Sequence, residues 1–338
     1  MENVTTRDVL ACSFSAWHSI PALKENSMTP KAASFKIGAE EENDFREWMA
    51  QEGLFLPLDG LEKATEDESE VEEDEDVPKQ YHFPQLHAFI LAYLKRFPSG
   101  VFPKLNWSSP KDASWIHPTS AFLRCTTPAE IYQLLKASDN IVRDLDYAFD
   151  GCVDGEPEGY DVELVLKVWK EVQPSQEWRC FVIDGRFVAA SHRDRDLNFY
   201  PFLQDPSVID TIRNLLLDFF NSIVAPNFPL TSYAFDVVLS SNQSKAYILD
   251  ISPLKHSTDP LLYTWDELIS LSSTPPASAP SFPNLRVVDE RLKKVAEEEV
   301  TATRYTLNRY PREVAEMALG GGGSVEEMVR RMRELDTE

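Results

Sequence analysis

The chain has 338 residues, of which 43% are hydrophobic and 11% aromatic, enough for two core-bearing lobes and too apolar for a disordered protein. Its net charge of −23 shows no basic stripe, which argues against nucleic acid as a partner and for a basic protein surface. No apolar run approaches the ~20 residues that span a bilayer, and the polar residues around Arg7 do not make a leader peptide, so no membrane association is expected.

In chain order, residues 9–14 alternate small and apolar side chains and predict a strand, as does 34–37; residues 41–51 predict a short helix. The run 62–76 holds ten acids and one lysine, a local charge of −9, and reads as a solvated loop or a partner-binding one. Pro84 suits the first turn of a helix over 85–96, where its missing N–H costs nothing, and Gly100 leads into a strand over 101–105. Thr127, Pro128 and Glu130 form a capping-box pattern for a helix ending near Ala137, and residues 264–267 and 324–327 repeat that signal. The middle of the chain is β-rich. Strands are predicted over 162–169 and 178–183, and Asp184-Gly185 marks a tight hairpin into 186–192. Helical spacing over 208–224 precedes a second hairpin, 233–239 and 246–251. A Ser/Pro-rich loop follows over 272–290, and a glycine hinge at 320–323 precedes a charged helix over 325–335. Cys12, Cys125, Cys152 and Cys180 are scattered without a CxxC pair, the pattern of reduced thiols in a cytoplasmic protein.

Three segments carry chemistry. In the second hairpin, pairing outward from Gln243 places Asp236 opposite Asp250, with Ser252 on the same face as Asp250. Opposed carboxylates in a sheet repel by up to ~1 kcal/mol, and a magnesium ion completed by phosphate and water would neutralise them. The same acids at a solvent edge, or a register slipped by one residue, are the alternatives. Upstream, VFPKLNWSSPKDASWI (101–116) sets Lys104 and Lys111 beside a Ser/Pro loop, where a lysine can reach phosphate; Asp112 would pair with a lysine or cap a turn. Finally, Lys167 ends an apolar strand suited to lie beside an adenine ring, and Arg179 interrupts another apolar strand, calling for an anion such as a triphosphate or Glu177.

These segments, together with FSAW (14–17), CTTPAEIYQLLKASD (125–139), EWRCFV (177–182), Arg193-Asp194 and LLYTWDELI (261–269), resemble the cell division cycle protein 123 family. They occur in family order over most of residues 10–270. The resemblance implies an α+β, ATP-grasp-like fold of two lobes with antiparallel sheets and flanking helices. One lobe would comprise 1–61 and 77–160, the other 161–290, with 291–338 as a tail. It implies ATP and Mg²⁺ as ligands and a monomeric assembly chaperone that contacts the gamma subunit of eukaryotic translation initiation factor 2. Lys104, Trp107, Ser109, Lys111 and Asp112 would line the nucleotide, and Lys167, Val168 and Trp169 its adenine side. Arg179 and Arg193 would face phosphate, and Asp236, Asp250 and Ser252 would take the metal. The family commonly has asparagine where this chain has Ser252, a shorter oxygen ligand, and residues 320–338 match nothing in it.

An ATP-dependent ligase or kinase is the alternative from another class, although no acceptor motif accompanies it; a scaffold with a degenerate nucleotide site is the third. Deleting residues 62–76 is expected to leave Mg-ATP affinity and the thermal transition unchanged, since a charged loop contributes little packing; calorimetric titration and a melting curve check both.

Overall fold

The computed structural model describes residues 4–60, 79–116, 123–194, 198–273 and 283–289; the acidic run 62–76 and the predicted hinge and helix of the 291–338 tail lie outside the described residues. The chain begins with three short helices, α1 (Thr6–Ala11), α2 (Phe14–His18) and α3 (Pro21–Glu25), where the sequence predicts a strand over 9–14. The cause is local. Thr5 and Asp8 form a full capping box: the Thr5 hydroxyl accepts from the Asp8 N–H, and the Asp8 carboxylate accepts from the Thr5 N–H. A helix start satisfied on both sides outweighs a few alternating residues.

Strands β1 (Ala33–Lys36), β2 (Val101–Lys104) and β3 (Glu163–Val168) form an antiparallel sheet in the order β1-β3-β2. Helices α4 (Ala39–Ala50), α5 (Pro84–Arg96), α6 (Pro128–Lys136) and α7 (Asp139–Asp146) build a core on it that includes Phe45, Trp48, Phe83 and Tyr132. Pro84 occupies the first turn of α5 as predicted, and Glu41 of α4 accepts from the free N–H groups of Gln85 and Leu86. The Thr127–Glu130 capping box is formed at α6. Helix α7, absent from the sequence reading, is capped by Ser138, whose hydroxyl accepts from the Ile141 N–H.

The second sheet has β4 (Glu177–Ile183), β5 (Arg186–His192), β6 (Tyr233–Leu239), β7 (Ala246–Pro253) and β8 (Asn284–Arg286) in the order β7-β6-β4-β5-β8. Its pairings are antiparallel except β5 with β8. Asp184 and Gly185 both take positive φ, 50° and 75°, as the two-residue turn between β4 and β5 requires. The three-residue β8 lies in the stretch predicted as loop; so short an edge strand leaves no periodicity to read. Helix α8 (Pro206–Phe219) continues into a wider π turn at Phe220–Val224, and α9 (Trp265–Ser273) starts at its predicted capping box. One face of this sheet packs on α8 and on Phe14, Trp17 and Leu23 from the N-terminal helices. The other meets Leu254, Tyr263 and Leu268. Covered on both sides, β6 is buried along its whole length.

The lobe boundaries therefore differ from the predicted ones. β3 joins the first sheet although residues 161–290 were assigned to the second lobe, and the N-terminal helices pack with the second core rather than the first. Sheet partners and core contacts are long-range facts that linear order does not encode. Among the described residues, no helix is long and apolar enough to cross a membrane.

Gly100, which turns the chain from α5 into β2, has φ +107°, and an added Cβ would lie 2.7 Å from the Arg124 side chain. Its carbonyl also accepts from the Trp169 N–H at 3.1 Å. Gly100→Ala is expected to destabilise the chain by about 1–3 kcal/mol in urea denaturation, because that backbone region is essentially reserved for glycine.

Candidate functional site

In the β6–β7 hairpin Asp236 stands opposite Asp250, as the sequence predicts, and Ser252 lies two residues further along β7. The ladder shifts there: Asp236 pairs with Asp250 but Val237 with Ile248, so Leu249 is an extra residue. The bulge has a use. The Leu249 carbonyl, out of register, accepts from Lys167 Nζ at 2.9 Å.

The acidic pair is surrounded by cations from both sheets. Arg179 sits beside Asp236 on β4 and grips it with two parallel hydrogen bonds, Nε to Oδ1 at 2.7 Å and Nη2 to Oδ2 at 2.8 Å. Its remaining nitrogen donates to the Asp259 carbonyl. Arg193, just past β5, places Nε 3.2 Å from Asp236 Oδ2 and donates from Nη1 to Glu177 at 2.8 Å. From the first sheet, Lys104 on β2 donates to Asp250 Oδ2 at 2.6 Å, and Lys167 on β3 completes the ring. Lys104, Lys167, Arg179 and Asp236 are all buried, with Asp250 about a quarter exposed. Adjacent aspartates are thus compensated by the protein's own cations, without needing a metal to be tolerated. That corrects the physical premise of the sequence reading and leaves the donor set in place.

Burial alone would push the Asp236 carboxyl up, but Arg179 and Arg193 outweigh it and hold it well below the usual carboxylate range. Burial lowers Lys167 to about 7, opposed by Asp250 and reinforced by Lys104. Burial also works against the charge of Arg193, and the Asp236 and Glu177 carboxylates more than restore it. Four basic side chains, Lys167 among them held near neutrality, therefore meet three carboxylates, Asp236, Asp250 and Glu177; the charge of Lys111 also reaches Asp236, and that of Lys104 reaches Asp144. In a chain of net charge −23 this is a positive island. Its excess suits a polyanion.

The donor set also fits a divalent cation that arrives with phosphate. Both Asp236 oxygens are engaged by arginine; Asp250, about a quarter exposed and two residues from Ser252, accepts from Lys104 at Oδ2 and more loosely, at 3.2 Å, from the Ile251 N–H at Oδ1. Magnesium takes one or two carboxylates and completes its shell with phosphate and water. Among the described residues no cluster of three or more His, Cys, Asp or Glu exists that would hold a metal by itself.

Other sequence-predicted residues serve as framework. The Trp107 N–H and Ser108 N–H donate to Asp144 at 2.9 and 2.6 Å, Trp107 Nε1 donates to the Val9 carbonyl, and its ring packs on Phe149 and Tyr160. Asp112 accepts from the Ser138 hydroxyl and from the Asn140 backbone and side chain, and so caps the start of α7. The Ser109 carbonyl accepts from the Lys111 N–H, which tightens the loop between them. Val168 pairs with Val101 in the sheet, and the Trp169 ring lies under the Arg124 guanidinium at 5.7 Å. Sequence reasoning missed Asp144, whose only signal was an acid in an amphipathic stretch, and Phe14, whose ring lies 4.7 Å from Lys167 Nζ.

Two antiparallel sheets meeting at an acidic hairpin ringed by basic side chains define an α+β protein. The chain belongs to the D123 family, whose model matches residues 25–318. It is 34% identical to "Cell division cycle protein 123" of Candida glabrata, over 94% of this chain and 89% of that one. It is 32% identical to "Translation initiation factor eIF2 assembly protein" of Schizosaccharomyces pombe, over 98% of this chain and 97% of that one. The solved structure of Cdc123 from Schizosaccharomyces pombe superposes with a TM-score of 0.68 at 31% identity, covering 86% of this chain and all of that one.

Arg179→Met would leave Asp236 buried with half its compensation gone. The expected loss is about 3–5 kcal/mol in denaturant unfolding. Because the native carboxyl titrates well below its unfolded value of about 3.9, its contribution is complete above about pH 5 and is lost as the pH falls from there toward the depressed native value; an acid-unfolding series measures this.

Proposed function

We propose that this chain is an assembly factor for eukaryotic translation initiation factor 2 that binds Mg-ATP in an ATP-grasp-like cleft and contacts the gamma subunit of its client. The assembly role is supported by the names of its relatives, matched over nearly the full length of both chains. The nucleotide reading is carried by one observation: a buried excess of positive charge converges on the Asp236–Asp250 hairpin of an otherwise acidic protein.

In this reading Lys104, Lys167, Arg179 and Arg193 balance the phosphate charge. Asp250 and Ser252 would hold the magnesium, with Asp236 behind them fixed by its arginines. Bound magnesium would screen neighbouring phosphate oxygens and tie them to the hairpin. The strand end at Val168 and Trp169 lies on the Gly100 side of the same sheet and would flank the base. With no acceptor motif beside the cleft, nucleotide here supports a shape competent for client binding.

Asp250→Ala is expected to raise the Kd for Mg-ATP at least tenfold in calorimetric titration at a temperature where the variant is folded, and to lower the thermal transition because buried Lys104 loses its carboxylate partner. Unchanged affinity would remove the metal assignment. For the client, purified gamma subunit is expected to be retained by the immobilised full chain, and retention of another subunit in its place would redirect the contact.

A further inference from the structure

The FSAW segment lies in none of the strands that carry the site, yet it reaches the site's centre. Helix α2 starts where the Phe14 N–H donates to the Asn106 carbonyl at 2.8 Å, two residues past Lys104. The buried Phe14 ring then lies 4.7 Å from Lys167 Nζ and 5.4 Å from Lys104 Nζ, measured to its centroid. His18 stacks on it at 4.6 Å and Trp17 meets its edge at 4.9 Å, so the ring is fixed in place.

The two lysines have one close acceptor each, with Asp144 acting on Lys104 and Asp250 and Asp236 on Lys167 at longer range. Lys104 is 1% exposed and pairs with Asp250; Lys167 is 5% exposed and donates to a neutral carbonyl. Burial and the charge of Lys104 already draw Lys167 down to about 7, so keeping both lysines charged calls for further compensation. Another carboxylate would supply it by cancelling the positive excess that a polyphosphate needs. An aromatic face does it differently: its quadrupole attracts a cation while carrying no net charge. Asp250, moreover, cannot give its full charge to both Lys104 and a metal, and the ring stays with the lysine in either case.

We propose that Phe14 is a positioning residue of the phosphate site, its ring holding Lys104 and Lys167 by cation–π attraction and leaving their charge available to a polyphosphate. This rests on the nucleotide reading above, and two measurements separate it from that reading. In the first, Phe14 is replaced in the full chain by phenylalanines with one, two and three ring fluorines, which keep the ring's shape and progressively drain its face. The Kd for Mg-ATP is expected to climb with each fluorine, to about tenfold for the trifluoro ring. In the second, the nucleotide-free chain is unfolded in urea as wild type, Phe14→Leu, Lys167→Met and the double variant. The midpoint loss from Phe14→Leu is expected to shrink when Lys167 is already methionine. A flat affinity across the fluorine series, or the same Phe14→Leu loss in both backgrounds, would show that the ring only packs and would overturn the proposal. Should wild type fail to bind Mg-ATP at all, the nucleotide reading falls and the positioning role with it, while the urea cycle still reports on the ring–ammonium contact. If Phe14→Leu does not fold, the shape-preserving fluorine series decides the question.

Discussion

The double hydrogen bond between Arg179 and Asp236 is the contact on which the rest of the site depends. A carboxylate buried in the fully covered strand β6 would take up a proton unless paired, and its neighbour across the ladder is a second carboxylate. Arg179 is placed by the β4–β6 register, Arg193 by the end of β5, and both turn the same acid into a fixed ion. With Asp236 satisfied, Asp250 is left to face the first sheet, where Lys104 meets it. Removing one member would strand a charge among the others, so the five groups form one electrostatic unit.

That unit also joins the two sheets. Lys104 and Lys167 stand on β2 and β3, and their acceptors are Asp250 and Leu249 on β7. The cleft is thereby built where two separate cores touch, and Phe14 is supplied from a third place, the N-terminal helices of the second core. The loop after Lys104 is fastened at both ends to one small helix, through Asp144 to the Trp107 and Ser108 amides and through Asp112 to Ser138 and Asn140. Residues around the hairpin thus divide into those that carry its charge and those that hold the backbone bearing it.

A net charge of −23 and a local cluster of basic side chains are compatible because the two act at different ranges. At physiological ionic strength charges more than about 8 Å away are largely screened, whereas those lining a buried cleft are not. The distant acids set how the whole surface meets a partner, and a basic client surface is favoured. The local excess of lysine and arginine sets what enters the cleft.

Much of this was legible in the sequence because it is local. Asp184-Gly185, Pro84 and the Thr127–Glu130 box act through their own backbone, and each element formed where it was read. The Asp236–Asp250 pair followed from counting out of one turn, although the ladder reaches it through a bulge the count did not contain. The family motifs marked charged residues that the fold brings together around one hairpin. What they could not assign was the partner of each charge. Arg179 closing on Asp236, Asp112 capping a helix, β3 joining the first sheet and Phe14 lying against two lysines all depend on segments tens of residues apart. Residue type and spacing determine which side chains carry charge and how a single hairpin or helix is made. Which charges compensate one another is decided only when the sheets and cores assemble, because Coulombic and packing energies depend on distance in space and not along the chain.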